Sequence, residues 1–268
     1  MRSHRISFTV ALTGISRALL LRDRMLGRVQ PIVEDPTGAP QVQRHTIASG
    51  RNVLDAVWVR PTASGTPKAT ILICHGISET VEHWLPVQRI LAESGAASLV
   101  FDYSGYGRST GHIDARQCER DAIAAFRFLE TLAPEAGVAM LGFSLGSGIA
   151  AAVAGQLPIT RLVLCAGFTS FRAAARSVGI PGRISKLIPA LFWHAEESLR
   201  DCRVPVLVVH GERDRLFPVR MAAELAACCG AEERIVPNLK HAEPYYHPQP
   251  AYWDPIVVWI EQPLSHLR

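Results

Sequence analysis

Gly142-Phe143-Ser144-Leu145-Gly146 is the stretch on which the reading of this 268-residue chain turns. Residues 137–141 before it (Gly-Val-Ala-Met-Leu) are short and apolar, as in a buried strand. Residues 145–156 after it are small and helix-compatible. A sharp strand-to-helix turn at Ser144 would strain its backbone and present its hydroxyl. Glycines at 142 and 146 suit such a turn, because side chains there would collide with neighbouring backbone. The bland alternative is a serine that simply starts a helix. The rest of the chain decides between the two.

Outward from this stretch, strand-like apolar runs alternate with helical patterns. Residues 41–48 and 51–60 read as a hairpin around Ser49-Gly50. Ala69–Cys74 and Ala97–Asp102 read as strands, with a helix over Trp84–Ser94 between them. Asp114–Leu132 is the clearest helix: Ile123, Phe126 and Leu129 mark one apolar face, and Asp114 with Gln117 resembles a capping box. Thr160–Cys165, Val204–His210 and Glu233–Val236 read as further strands. Arg220–Cys228 is a helix stopped by Gly230, and Trp253–Gln262 a closing helix. This alternation predicts an α/β fold with a mostly parallel sheet covered on both faces. Residues 168–201 are too long for one crossover helix and carry Phe, Leu and Trp residues, which predicts a small helical lid.

Composition excludes several classes. A net charge of +4, spread over 28 basic and 24 acidic residues, gives no basic stripe for nucleic acid. No run of eighteen apolar residues predicts a spanning helix. The start, Met1-Arg2-Ser3-His4-Arg5 before an apolar run, has the outline of a secretory signal. Arg17, Arg22 and Arg24 follow at once, however, with no small-residue cleavage site. Residues 1–40 therefore read as an N-terminal extension lying on a 41–268 domain, with a peripheral membrane-touching segment as the alternative. The six cysteines form no C-x-x-C and no zinc spacing, so no metal is expected and a reducing, cytoplasmic setting is the simpler expectation. Cys74 and Cys165 lie in strand-like runs and read as core.

A serine hydroxyl becomes a nucleophile when a histidine takes its proton and a buried carboxylate orients that histidine. The chain offers these residues in the order Ser, Asp, His, each just past a strand on one edge of the sheet. Asp214 follows the strand ending at His210-Gly211, and His241 follows the last strand. Glu212 is the alternative acid and His247 the alternative base. His75 and His210 read as residues closing turns at strand ends, His83 and His112 as surface residues. Asp102 and Ser109 read as shaping a loop.

Four motifs together resemble the α/β-hydrolase pattern from about residue 41 onward, and most of all its lysophospholipase and serine-aminopeptidase-like branch. They are Leu72-Ile73-Cys74-His75-Gly76, the run Asp102-Tyr103-Ser104-Gly105-Tyr106-Gly107-Arg108-Ser109, Gly142 to Gly146, and His210-Gly211-Glu212-Arg213-Asp214 with Pro218. The resemblance implies Ser144 as nucleophile, Asp214 as orienting acid and His241 as base. It also implies an oxyanion hole made by the backbone N–H groups of Ile77 and Leu145. Ile77 is bulkier than the residue often found there, and Ser78 is a further candidate donor. The expected activity is hydrolysis of a carboxylic ester or thioester with an apolar part, through an acyl-enzyme and without a cofactor. An acyltransferase using the same residues, and a non-catalytic binding protein on the same fold, are the alternatives.

Overall fold

In the computed structural model, residues 40–62, 66–134, 136–188, 193–200 and 202–263 are described. The expected 1–40 extension falls almost wholly outside them. Eight strands form one sheet: β1 (Gln41–Ser49), β2 (Asn52–Arg60), β3 (Ala69–Cys74), β4 (Ala96–Phe101), β5 (Val138–Phe143), β6 (Arg161–Cys165), β7 (Val206–Gly211) and β8 (Glu232–Val236). Their spatial order is β1-β2-β4-β3-β5-β6-β7-β8. β1 and β2 join antiparallel, β2 meets β4 antiparallel, and β4, β3, β5, β6, β7 and β8 run parallel. The hairpin register pairs Ser49 with Asn52, so its loop is Gly50-Arg51, and Gly50 takes φ 62°. A positive φ is what a tight hairpin turn demands.

The helices are α1 (Val81–Glu93), α2 (Ala115–Leu132), α3 (Leu145–Ala154), α4 (Phe171–Ser177), α5 (Gly182–Ser185), α6 (Ala195–Leu199), α7 (Arg220–Cys229), α8 (Glu243–Tyr246) and α9 (Pro250–Glu261). They divide between the two sheet faces because strand side chains alternate. Ile71, Ile73, Val100, Leu141, Val163 and Val209 point to the face covered by α1 and α9, where Trp84, Trp253 and Trp259 are buried. Leu72, Cys74, Leu99, Met140, Leu164 and Val208 point to the other face, against Phe126 and Leu129 of α2 and Ile149 of α3. Each of these three indole N–H groups finds an acceptor: Trp84 on Glu79, Trp253 on the Pro244 carbonyl, Trp259 on Glu232. That removes the penalty for burying a donor.

Two helices begin earlier than the sequence predicts. α1 begins at Val81, three residues before the expected Trp84, because Asp102 Oδ1 accepts the Val81 N–H at 2.9 Å. α9 begins at Pro250 instead of Trp253, with the proline in the first turn, where its missing N–H costs nothing. In α2 the Asp114 half of the expected capping box forms, with Asp114 Oδ1 accepting the Gln117 N–H. The Gln117 amide goes to the buried Asp121 and to Ser49, and its oxygen accepts from Arg120. α8 has no counterpart in the sequence reading; four residues are too few to show a period. Residues 168–188 and 193–200 fold as the three short helices α4, α5 and α6, and Arg172 of α4 ties the segment together by donating to the Ile188 carbonyl.

β5 runs straight into α3 through Ser144. A Cβ on Gly146 would lie 1.9 Å from the Cys74 carbonyl oxygen, and one on Gly142 would lie 2.4 Å from the Gly146 carbonyl oxygen. Backbone cannot yield there, so overpacking at the upper end of about 1–3 kcal/mol or beyond is expected for Gly146→Ala. Gly230 ends α7 at φ 63° with nothing within 4 Å of a built Cβ, so Gly230→Ala carries only the left-handed cost of about 1–2 kcal/mol. Urea unfolding of the two variants should therefore rank Gly146→Ala well below Gly230→Ala. The reverse order would remove the close approach between α3 and β3 as a constraint.

Candidate active site

Ser144 occupies the β5–α3 junction at φ 51° and ψ −115°, a conformation strained for an L residue. Its N–H donates to the Cys165 carbonyl of β6, and its own carbonyl accepts from Ser147 through both N–H (3.0 Å) and Oγ (2.6 Å). The backbone is thus tied on both sides, and the hydroxyl is directed away from the sheet toward His241. Ser144 Oγ lies 2.9 Å from His241 Nε2, and His241 Nδ1 lies 2.7 Å from Asp214 Oδ2. A carboxylate only accepts, so Nδ1 carries the proton and Nε2 offers a lone pair to the serine hydroxyl. Such a chain can move the hydroxyl proton onto imidazole.

Asp214 is buried, and each of its oxygens is engaged. Oδ1 accepts the N–H groups of Leu216 and Phe217, both at 2.8 Å. Oδ2 meets His241 and, at 3.2 Å, His210 Nε2. Burial alone would raise the Asp214 carboxyl. The charges and hydrogen bonds of His241 and His210 outweigh it and hold the group well below the usual aspartate range. His210 closes its turn as expected, with Nε2 2.9 Å from the Phe217 carbonyl, but it also supports the carboxylate. The alternative acid, Glu212, lies in another role: it accepts the Asn238 N–H at 2.8 Å, and Asn238 stands at φ 60° in the loop leading to His241. His247, the alternative base, is exposed at the end of α8.

The turn after β3 supplies the other side of the site. Neither Ile77 N–H nor Leu145 N–H has a hydrogen-bond acceptor among the described residues, which leaves both for an anion. Leu145 is the first residue of α3, where an N–H has no partner within the helix. Ser78 follows at φ 62°, reversing the chain. His75 is fully buried, as is Asp102, which shapes the loop after β4 together with Ser109. His83 is half-buried instead of a surface residue: its Nδ1 accepts the Thr80 N–H at the start of α1. His112 is exposed as expected.

One residue the sequence reading missed is Glu79, a buried acid three positions past Gly76. A carboxylate in the turn between a strand and a helix is ordinarily a solvated one, so residue type and spacing did not mark it.

An aromatic wall borders the site. The His241 ring meets Phe217 edge-on at 5.1 Å and lies 5.8 Å from Phe143. Phe217 meets Phe168, Phe168 meets Phe171 and Phe171 meets Trp193. Trp193 donates its indole N–H to Glu119 of α2 at 2.7 Å. The segment carrying α4 to α6 is therefore continuous in packing with the histidine. Among the described residues no cluster of His, Cys, Asp or Glu could hold a metal ion, and the cysteines are free thiols.

Comparison with known proteins agrees with this architecture. Residues 69–180 match the family model described as the alpha/beta hydrolase fold. An uncharacterised protein of Mycobacterium tuberculosis is 29% identical over 191 residues, covering 70% of this chain and 68% of its own length. The lysophosphatidylserine lipase ABHD12 of Danio rerio is 24% identical over 205 residues, so the match spans 68% of this chain and about half (53%) of that relative. Among solved structures, the esterase domain of a Rhodothermus marinus protein superposes with a TM-score of 0.64 at 21% identity, covering 82% of this chain and 98% of that one. The chain is an α/β hydrolase by fold, and the proteins similar to it in sequence include lysophosphatidylserine lipases.

The depressed carboxyl of Asp214 has a consequence for stability. Its folded value lies below its unfolded value, so the folded state binds fewer protons in acid. The stabilisation is complete above the ordinary aspartate range, about 4, and fades as pH falls toward the folded value. Asp214→Asn cannot titrate, so its unfolding free energy should fall less steeply between about pH 5 and pH 2 than that of the wild type. Equal slopes in urea unfolding across that window would show that the carboxylate is not held in this way.

Proposed function

We propose that this chain is a serine-dependent carboxylic ester hydrolase that works through an acyl-enzyme. The observation that carries the reading is the unbroken hydrogen-bond chain Ser144–His241–Asp214, at 2.9 and 2.7 Å. Ser144 Oγ attacks the ester carbonyl carbon while its proton passes to His241 Nε2. The Asp214 carboxylate faces the imidazolium that results and keeps the ring in place. The Ile77 and Leu145 N–H groups receive the negative charge that develops on the carbonyl oxygen. They need no reorganisation to do so, and one such donor is worth roughly 3–4 kcal/mol of barrier. His241 then gives its proton to the departing alcohol or thiol, and the C–O or C–S bond breaks. A water deprotonated by the same ring attacks the acyl-serine, releases the acid and restores Ser144.

The substrate is proposed to be an ester or thioester with an apolar chain, of the lysophospholipid type. Support comes from the wall of Phe143, Phe168, Phe171, Trp193 and Phe217 around the histidine. It comes also from the lysophosphatidylserine lipase among the relatives. The α4–α6 segment is proposed to act as a lid over this wall.

Hydrolysis of p-nitrophenyl esters of increasing acyl length tests the reading. Wild type should turn over and be labelled at Ser144 by a fluorophosphonate, and activity should peak at a medium or long chain. Ser144→Ala and His241→Ala should each lower kcat by about 10⁴-fold or more. Because only a neutral imidazole accepts the serine proton, kcat/KM should be lost in acid. Full activity in Ser144→Ala, or a pH-independent rate with chemistry limiting, would overturn the mechanism.

A further inference from the structure

We propose that Glu79 is a positioning residue that, with His75, clamps the Gly76 backbone and so aims the Ile77 N–H at the developing oxyanion. This deepens the hydrolase reading and rests on it. The Glu79 side chain folds back over its own turn. Its Oε2 accepts the Gly76 N–H at 2.7 Å and the Trp84 indole N–H at 2.8 Å. On the opposite side of the same residue, His75 Nδ1 lies 2.7 Å from the Gly76 carbonyl oxygen. A carbonyl only accepts, so the ring donates. Gly76 is therefore held at both its N–H and its C=O.

The second grip fixes the orientation of the next amide. The Gly76 carbonyl and the Ile77 N–H belong to one peptide plane, and no described peptide is cis. In a trans peptide the two bonds point in opposite directions. Pulling the carbonyl onto the His75 ring turns the Ile77 N–H away from that ring, free of any described acceptor. The turn lies close against α3, with the Cys74 and His75 carbonyl oxygens where a Cβ of Gly146 would sit. The His75 carbonyl is itself held by the Tyr103 hydroxyl at 3.0 Å. A Cβ on Gly76 would stand 2.3 Å from Glu79 Oε1, so a side chain there would displace the carboxyl from its present place.

Burying a carboxyl at this place is costly, and its position in the chain does not explain the cost. Glu79 is 4% exposed, and burial pushes its carboxyl up. His75, the Trp84 and Gly76 donors, and the charge of His241 pull it the other way. A residue that merely filled space would be apolar here. What a carboxyl supplies is an acceptor with the reach to hold Gly76 N–H from three residues away.

Reach and acid character are separated by two substitutions. Glu79→Asp keeps the carboxyl and withdraws the acceptor by one methylene. Glu79→Gln keeps the reach and replaces the carboxyl by an amide. Ester kinetics should show kcat of Glu79→Asp down by about tenfold or more with KM within about twofold, and slower phosphonylation of Ser144. Glu79→Gln should retain kcat within about threefold, since its amide oxygen still accepts. A wild-type kcat in Glu79→Asp, or an equal loss in both variants, would overturn the proposal. If Glu79→Asp does not fold, Trp84→Phe removes the second donor that orients the Glu79 carboxyl and so loosens its hold on Gly76; kcat should fall by about threefold with KM unchanged, and an unchanged kcat would again overturn the proposal. If the wild type is inert toward both ester and fluorophosphonate, it is the hydrolase reading that fails. Amide hydrogen exchange then decides on the clamp. A Gly76 amide exchanging about tenfold faster in Glu79→Asp supports it, and an unchanged rate overturns it.

Discussion

Ser144 stands at φ 51° and ψ −115°, where an L residue costs of order 1–3 kcal/mol. It stays there because the surrounding backbone leaves it no relaxed alternative. Its N–H is committed to β6, its carbonyl to Ser147, and the glycines at 142 and 146 let α3 press against the end of β3. That close approach brings the start of α3 beside the turn after β3, the turn that carries Ile77. The site is thus made of backbone first. Side chains are added to a frame that strain and steric contact already define.

The acid and the base follow from the same sheet geometry. The loops after β7 and β8 emerge at one edge, beside the end of β5, and are tied together by short bonds. Glu212 takes the Asn238 N–H, Arg213 N–H meets the Leu239 carbonyl, and Gly211 admits the Leu239 carbonyl where a Cβ would stand 2.4 Å away. Asp214 is then surrounded by donors on every side, which keeps it ionised despite burial. A buried anion fixed in this way holds one histidine tautomer without itself changing charge. Electrostatics and chain geometry serve one end, a histidine whose free nitrogen faces the serine.

Much of this was legible because the information is local. β3 matched its sequence boundaries residue for residue, and β5, β6 and α7 fell within one or two residues, since buried parallel strands are short apolar runs and α7 ends on a left-handed glycine. Ser144, Asp214 and His241 were identified from motif and order, and the structure brings those three together while setting Glu212 and His247 apart. What escaped has a common cause. Asp102 caps α1 from twenty-one residues away, His210 supports Asp214 across a turn, and Glu79 bonds the backbone it follows. None of these pairings leaves a period or a propensity in the sequence.

The sequence by itself determined the fold class, the strand-to-helix junction at Ser144 and the short set of acids and histidines in the loops after β7 and β8, because spacing and residue type constrain local backbone and strand order. Only the tertiary structure decided which acid meets the histidine, which side of the Gly76 peptide carries the free N–H, and how residues 168–188 and 193–200 divide into short helices against the aromatic wall. Those outcomes depend on distances between residues far apart in the chain, and such distances exist only once the sheet has assembled.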